Sequence, residues 1–189
     1  KTTQRLIKQN RLTKRPVTVV YNASSLERAT KHRKYPENRD LIYIGSFMPY
    51  KNVETLISGV GLTEGFTLHL LSKIAPAREE QLAKLAKSSN AKVVFHRGVT
   101  DSQYLNLFRT AFALVTASKD EGFGIPPIEA MATGIPVVVS KVSSLPEICG
   151  DVPIYIDNPY QTESIYEAMN RVIKMKPTEL NRRVRLGQN

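Results

Sequence analysis

The sequence has no tryptophan and a single cysteine, Cys149, among its 189 residues. One cysteine cannot form a disulfide within the chain, so the composition permits a reducing compartment. The three histidines, His32, His69 and His96, lack the spacing of metal ligands, and no metal is expected. No apolar stretch approaches the roughly 20 residues that span a bilayer, and no signal-peptide pattern opens the chain. We therefore expect a soluble, cytoplasmic domain.

Acidic residues are in the minority, with 17 Asp and Glu against 27 Lys and Arg, for a net charge of +10. This balance favours anionic partners. The surplus lies at the two ends of the chain, in residues 1–15 and 174–185. Solvated helix faces are one interpretation, and peripheral docking on the anionic inner face of a membrane or on a partner domain is another. No nucleic acid is expected as a partner, because the basic ends lack interleaved aromatics and no RNA or DNA motif is present.

Short β-rich runs alternate with helix-like segments from Pro16 onward. Most of these runs are continuously apolar, as in strands buried on both faces of a parallel sheet. The pattern predicts a Rossmann-like, doubly wound α/β fold, with ligands beyond the carboxyl ends of the strands. The predicted strands are Val17 to Tyr21, Leu41 to Gly45, Thr67 to Leu71, Lys92 to His96, Phe112 to Thr116, Pro136 to Ser140 and Ile154 to Asp157. The predicted helices are Asn52 to Val60, Pro76 to Ser88, Asp101 to Thr110, Pro126 to Ala132 and Thr162 to Met175, with a short turn near Leu145 to Ile148.

The segment from Ser118 to Gly134 is the most informative loop and helix start in the sequence. It leaves a buried strand, passes two glycines and enters a helix whose free N–H groups attract an anion. Glu121 on the loop and Glu129 in the helix flank this phosphate-sized cradle and could bind the hydroxyls of two sugars joined by a diphosphate. The alternative is that Glu121 is a plain loop charge and Glu129 only complements the helix dipole. We expect Asp101 to cap the preceding helix and Gly134 to provide the left-handed exit of this one.

A second loop, Gly45 to Asn52, also joins a strand to a helix and carries Lys51. Its ammonium group could reach a phosphate oxygen, although a lysine at a helix start is often only solvated. The loop is not a Walker motif, because no second glycine precedes the lysine and no Ser or Thr follows it.

Glu121 and Glu129, with seven residues between them, resemble the two-glutamate motif of retaining glycosyltransferases of the GT-B fold, especially family 4, the glycosyl transferases group 1. The resemblance extends over nearly the whole chain. It includes Val19 to Asn22, the Gly45 to Asn52 loop, Gly98-Val99, Ser118 to Val138, Ser144 to Glu147 and Gly150-Asp151.

The resemblance implies a role for each matching residue. Glu121 would contact the donor sugar, Glu129 would bind the ribose hydroxyls, and Lys51 would stabilise the departing diphosphate. Val99 would meet the nucleobase through its main chain. The remaining donor-binding positions are Gly45, Ser46, Gly122, Phe123 and Gly124, the last three through backbone N–H groups.

Two positions depart from the family pattern. The family usually has arginine after the glycine that matches Gly45, where this sequence has Ser46. The glycine-rich turn expected after the third strand reads Ser72-Lys73, and Lys73 either replaces the absent arginine or is a plain surface lysine.

The resemblance also implies a division of the chain and an incomplete active site. Residues 1–15 would bridge from an N-terminal acceptor domain, 16–176 would bind the nucleotide sugar, and 177–189 would begin a crossover back to the acceptor domain. The donor would be a UDP- or GDP-linked sugar, with no cofactor, and transfer would retain anomeric configuration. We expect an excised fragment that binds nucleotide weakly and transfers no sugar; a natural single-domain protein, or a non-catalytic nucleotide-sugar-binding subunit or sensor, is the alternative.

Overall fold

The structure, a computed structural model, describes residues 38–188. The expected strand Val17 to Tyr21, the bridging segment 1–15 and the Val19 to Asn22 motif lie outside the described residues. Within the described range, the chain alternates strands and helices in the predicted order. The strands are β1 (Asp40–Ile44), β2 (Thr67–Leu71), β3 (Lys92–His96), β4 (Ala113–Thr116), β5 (Val137–Ser140) and β6 (Ile154–Ile156). The helices are α1 (Val53–Gly61), α2 (Pro76–Ser88), α3 (Asp101–Thr110), α4 (Ile125–Thr133), α5 (Leu145–Cys149), α6 (Thr162–Ile173) and α7 (Pro177–Gly187), with a 3-10 turn at Pro49–Lys51.

The six strands form one parallel sheet in the order β3-β2-β1-β4-β5-β6. The chain winds outward from β1 to β3, returns to the centre at β4 and winds outward again to β6. This confirms the predicted Rossmann-like, doubly wound α/β fold. β1 and β4 are neighbours in the sheet although they are not consecutive, so the strand order reverses between them.

Both faces of the sheet are buried, as the continuous apolar strands predicted. Neighbouring residues of β1 go to opposite sides: Leu41 and Tyr43 join the core beneath α1, α2 and α6, whereas Ile42 joins the core beneath α3, α4 and α5. All four residues of β4 and of β5 are buried. β3 departs from the pattern, because it is an edge strand and Val94 is 40% exposed.

Of the two helix ends predicted from capping residues, the structure confirms one and corrects the other. Gly134 ends α4 in the left-handed conformation, at φ 78°, as expected. The prediction that Asp101 caps α3 was wrong. Thr100 is the N-cap, and it forms a capping box with Gln103 in which each side chain bonds the backbone N–H of the other.

Helix α7 contains Arg182, Arg183 and Arg185 of the basic carboxyl end and packs against α4. Leu180 on this helix is buried. Arg183 donates to the carbonyls of Asp151, Val152 and Pro153 and, with Arg182, binds Glu179. The bond from Arg182 is the main cause that lowers the pKa of Glu179 to about 2. Arg183 is therefore a structural residue, and the crossover at 177–189 stays a prediction.

Candidate nucleotide-sugar site

The candidate site lies where the strand order reverses. The loops that follow β1 and β4 leave adjacent strands and lead to helices on opposite faces of the sheet, α1 and α4. In open α/β sheets this divergence forms a crevice beyond the carboxyl ends of the strands, which is the usual ligand site. The two loops chosen from the sequence, with Lys51 and Glu121, are the loops at this crevice.

Lys51 and Glu121 form an ion pair across the crevice. The Lys51 Nζ atom lies 2.7 Å from Oε1 and 2.8 Å from Oε2 of Glu121. Both side chains are largely shielded from water, at 17% and 12% exposure. Ser118 adds a third bond, donating from its hydroxyl to Glu121 Oε1 at 2.8 Å. Glu121 is therefore held in place by Lys51 and Ser118, and its contact with the donor sugar stays a prediction.

The two loops are tied to each other through the backbone and through Asn52. The Lys119 N–H donates to the Tyr50 carbonyl at 2.7 Å. The buried side-chain amide of Asn52 donates to the carbonyls of Ala117, at 3.0 Å, and Pro159, at 2.6 Å. These bonds fix Lys51, next to Asn52, relative to the end of β4.

The loop from Glu121 to Gly124 is held from one side by Ser144. The Ser144 hydroxyl lies 3.0 Å from the carbonyl oxygen of Glu121 and 3.2 Å from that of Phe123. In a trans peptide the N–H points opposite to the C=O, so the N–H groups of Gly122 and Gly124 point away from Ser144. Gly124 precedes α4 at φ 94°, a conformation that suits glycine and turns the chain into the helix. An amide cradle at a helix start is therefore geometrically available.

Glu129 lies one turn inside α4 and is buried, with 7% exposure. The Tyr104 hydroxyl, on α3, donates to Glu129 Oε2 at 2.7 Å. Burial, and then this bond, raises the pKa of Tyr104 above its ordinary value. The carboxylate has a specific partner that dipole compensation alone would not require.

Ser46, which stands where the family usually has arginine, is bonded to Tyr43 of β1 through its backbone carbonyl. The Gly45 N–H donates to the Leu71 carbonyl at 3.4 Å, and the Tyr43 hydroxyl donates to the Ser46 carbonyl at 2.6 Å. Burial first, and then the charge of Glu121, raises the pKa of Tyr43. The Ser46 and Lys73 side chains are exposed, and replacement of the missing arginine by Lys73 stays a prediction.

Val99 borders an open groove of about 440 Å³ between the end of β3 and α3. Gly98, Gln103 and Leu107 also line it. His96 also lines the groove; its Nε2 atom lies 2.9 Å from Nδ1 of His69, and burial lowers the pKa of His96. Val99, where the resemblance implies the nucleobase, thus lines a groove, and the base contact itself stays a prediction.

Residues 38–188 contain neither a candidate metal-binding cluster nor a candidate membrane-spanning helix. No group of three or more His, Cys, Asp or Glu side chains in this range is arranged to hold a metal ion. In the same range no helix has the length and apolar character needed to cross a membrane.

The sequence profile described as "Glycosyl transferases group 1" matches residues 25–189. The chain belongs to this glycosyltransferase family.

Relatives of this glycosyltransferase domain include mannosyltransferases of bacterial polysaccharides. The O-antigen chain mannosyltransferase RfbU of Salmonella typhimurium is 29% identical over 160 residues, which cover 82% of this chain and 44% of RfbU. The chain thus spans less than half the length of these curated relatives.

Solved glycosyltransferase structures share the fold. Sucrose-phosphate synthase from Thermosynechococcus elongatus superposes with a TM-score of 0.70 at 26% identity, over 80% of this chain and 40% of that one. The C-terminal domain of a glycosyl transferase group 1 family protein, LpcC, from Francisella tularensis superposes with a TM-score of 0.67 at 21% identity, over 81% of this chain and 83% of that one.

Several residues that shape the glycosyltransferase site were not chosen from the sequence. Ser118 and Asn52 are terminal residues of the two candidate segments, and their polar side chains at strand and helix ends were available signals. Ser144 was noted only as part of a motif. Tyr104 gave no signal, because its bond to Glu129 joins residues 25 positions apart on different helices.

Proposed function

We propose that this chain is the donor-binding domain of a retaining glycosyltransferase that takes a nucleotide-diphosphate sugar. The observation that carries the proposal is the convergence of Lys51, Glu121 and the Gly122 to Gly124 loop at the point where the strand order reverses. Family membership supports sugar transfer, and the site supports a donor with a diphosphate.

In this proposal each charged group of the site binds a different part of the donor. Lys51 binds the diphosphate, whose negative charge on the leaving oxygen grows as the glycosidic bond breaks, so the attraction strengthens toward the transition state. The Gly122 and Gly124 N–H groups, at the start of α4, add dipoles of the same sign. Glu121 accepts from sugar hydroxyls and Glu129 from ribose hydroxyls.

The carboxylates do not act as the acid and base of a glycosidase in this scheme, because Glu129 is assigned to the ribose, away from the anomeric carbon. The leaving phosphate takes the proton of the attacking acceptor hydroxyl on the same face of the sugar, which retains the configuration. No metal is assigned a role. The acceptor is held by a separate N-terminal domain, and the protein works in the cytoplasm or at the inner face of the membrane.

Binding experiments identify the sugar and the base of the donor, and the relatives suggest which donor to test first. Several are described as mannosyltransferases, so mannose is the first sugar to test on either a GDP or a UDP carrier.

Thermal unfolding with and without nucleotides tests donor binding. A ligand at about 100 times its Kd stabilises a folded protein by about 2.7 kcal/mol, which is roughly 5–10 °C in Tm for a chain of this size. We expect GDP or UDP to raise the Tm, and Glu129→Gln to remove most of the shift. Glu167→Gln, an exposed carboxylate on α6, is the charge-matched control and should leave the shift intact. An equal shift in Glu129→Gln would remove the ribose assignment.

A non-catalytic nucleotide-sugar-binding subunit is the second candidate, because Ser46 stands where the family usually has a cation for the diphosphate. Joining the chain to an acceptor domain and measuring sugar transfer separates the two functions. Transfer that is lost in Lys51→Met favours the enzyme, and nucleotide binding without transfer favours the binding subunit.

A further inference from the structure

A hydrogen bond links helix α3, which lines the groove beside Val99, to helix α4, which carries Glu129. Tyr104 on α3 donates from its hydroxyl to Glu129 Oε2 on α4, at 2.7 Å. Helix α3 also supplies Gln103 and Leu107 to the groove beside Val99. The tyrosine therefore connects the wall of the expected base site to the carboxylate assigned to the ribose.

Tyr104 is held rigidly enough to direct its partner. Its ring meets Phe108 edge-on, with centroids 4.9 Å apart, and Phe108 is fully buried. The capping box at Thr100 fixes the first turn of the same helix. The raised pKa of Tyr104 keeps its hydroxyl protonated, so the group remains a hydrogen-bond donor at any ordinary pH.

The bond uses one oxygen of a buried carboxylate and thereby sets the direction of the other. A carboxylate rotates about its terminal torsion with little preference, so a fixed donor on Oε2 selects one orientation. Oε1 is then the oxygen left to accept from a ligand hydroxyl. Hydrogen bonds to a charged acceptor are stronger than neutral ones, and their loss is measurable.

We infer that Tyr104 is a positioning residue for ribose recognition: it orients Glu129 so that the carboxylate meets the 2′ and 3′ hydroxyls of the nucleoside. The inference rests on the proposed function, and it goes further by naming the group that makes Glu129 selective for ribose. Tyr104 itself touches neither sugar nor phosphate.

The test compares ribonucleotides with analogues that lack both hydroxyls. Calorimetry on the 189-residue chain measures the Kd of GDP, UDP and their 2′,3′-dideoxy counterparts for wild type, Tyr104→Phe, Glu129→Gln and the double variant. Tyr104→Phe should reduce the ratio of ribo to dideoxy affinity by about threefold to tenfold, less than for loss of a charge-assisted bond made directly to the ligand, because Tyr104 acts only through Glu129. Dideoxy affinity should change little. The double variant should match Glu129→Gln, because both changes remove one interaction.

Tyr155→Phe is the matched control, since its hydroxyl donates to the Gly150 carbonyl away from this site. Tyr155→Phe should keep the wild-type ratio of ribo to dideoxy affinity, because loss of a tyrosine hydroxyl away from the site should not alter ribose selectivity. A ratio unchanged in Tyr104→Phe but lost in Glu129→Gln would overturn the inference and leave the proposed function standing. A wild-type ratio of one, or no nucleotide binding, would overturn both.

Discussion

The Lys51–Glu121 ion pair makes a quantitative prediction about nucleotide affinity. Both Glu121 oxygens lie within 2.8 Å of the Lys51 ammonium group, which the proposed function assigns to the diphosphate. In that proposal, a bound diphosphate competes with Glu121 for Lys51 and loosens this contact. Glu121→Gln removes the competing charge, so we expect it to bind a nucleoside diphosphate more tightly, although it would lose contacts to the donor sugar.

The size of the expected gain in nucleotide affinity depends on how far the Lys51–Glu121 pair is buried. Exposed ion pairs are worth about 0–1 kcal/mol, and removal of one partner of a fully buried pair costs about 3–5 kcal/mol. With exposures of 17% and 12%, the pair falls between these limits, at about 1–2 kcal/mol. That range corresponds to roughly 5- to 30-fold in Kd. A glutamine oxygen still accepts one bond from Lys51, so we expect the lower end, about fivefold.

Titration calorimetry with GDP and UDP measures the effect, and Asp120→Asn is the control. Asp120 is the adjacent exposed carboxylate and bonds Ser143, so its removal changes the local charge without freeing Lys51. For Asp120→Asn we expect less than about a twofold gain in nucleotide affinity, because solvent screens the exposed Asp120 charge. In a Lys51→Met background, Glu121→Gln should give no gain beyond that of the control. A fivefold gain that persists without Lys51, or no gain in its presence, would refute the reasoning.

Three further predictions concern the scaffold. Gly124→Ala should destabilise the chain by about 1–3 kcal/mol, because the backbone is at φ 94° and a Cβ would lie 2.6 Å from the Leu145 side chain. Gly122→Ala is the control: its Cβ would meet nothing within 4 Å, so this variant should keep the wild-type Tm. Asn52→Gly, which tolerates the left-handed φ of 57°, should lower the free energy of unfolding by about 1–3 kcal/mol in urea titration, because two carbonyls lose their amide donor. Glu179 has a pKa lowered from 4.5 to about 2, so its contribution is complete above 4.5 and is lost as pH falls toward 2. Tm measured against pH should therefore fall more steeply over that window in wild type than in Glu179→Gln, and parallel curves would contradict this.

The expected site residues differ in how far sequence reasoning could place them. The Glu121 to Gly124 loop and Lys51 were predictable, because polar and glycine residues directly after buried strands lie at one edge of a parallel sheet. Thr100 was missed as a cap although Thr100 and Gln103 have capping-box spacing, because Asp101 was an equally good cap by residue type. Tyr104 was not predictable, since no local pattern marks a tyrosine for a partner on another helix.

The sequence by itself determined the order of strands and helices from β1 to α6, whereas α7 (Pro177–Gly187) was not among the predicted helices. Its continuous apolar runs and helix signals are local, and the runs predict strands that are buried on both faces, as β4 and β5 are. Only the tertiary structure decided that β1 lies beside β4, and with it the meeting of Lys51 with Glu121 and of Tyr104 with Glu129. Strand order depends on how distant segments pack together, and contacts 70 and 25 residues apart leave no periodic trace in the chain.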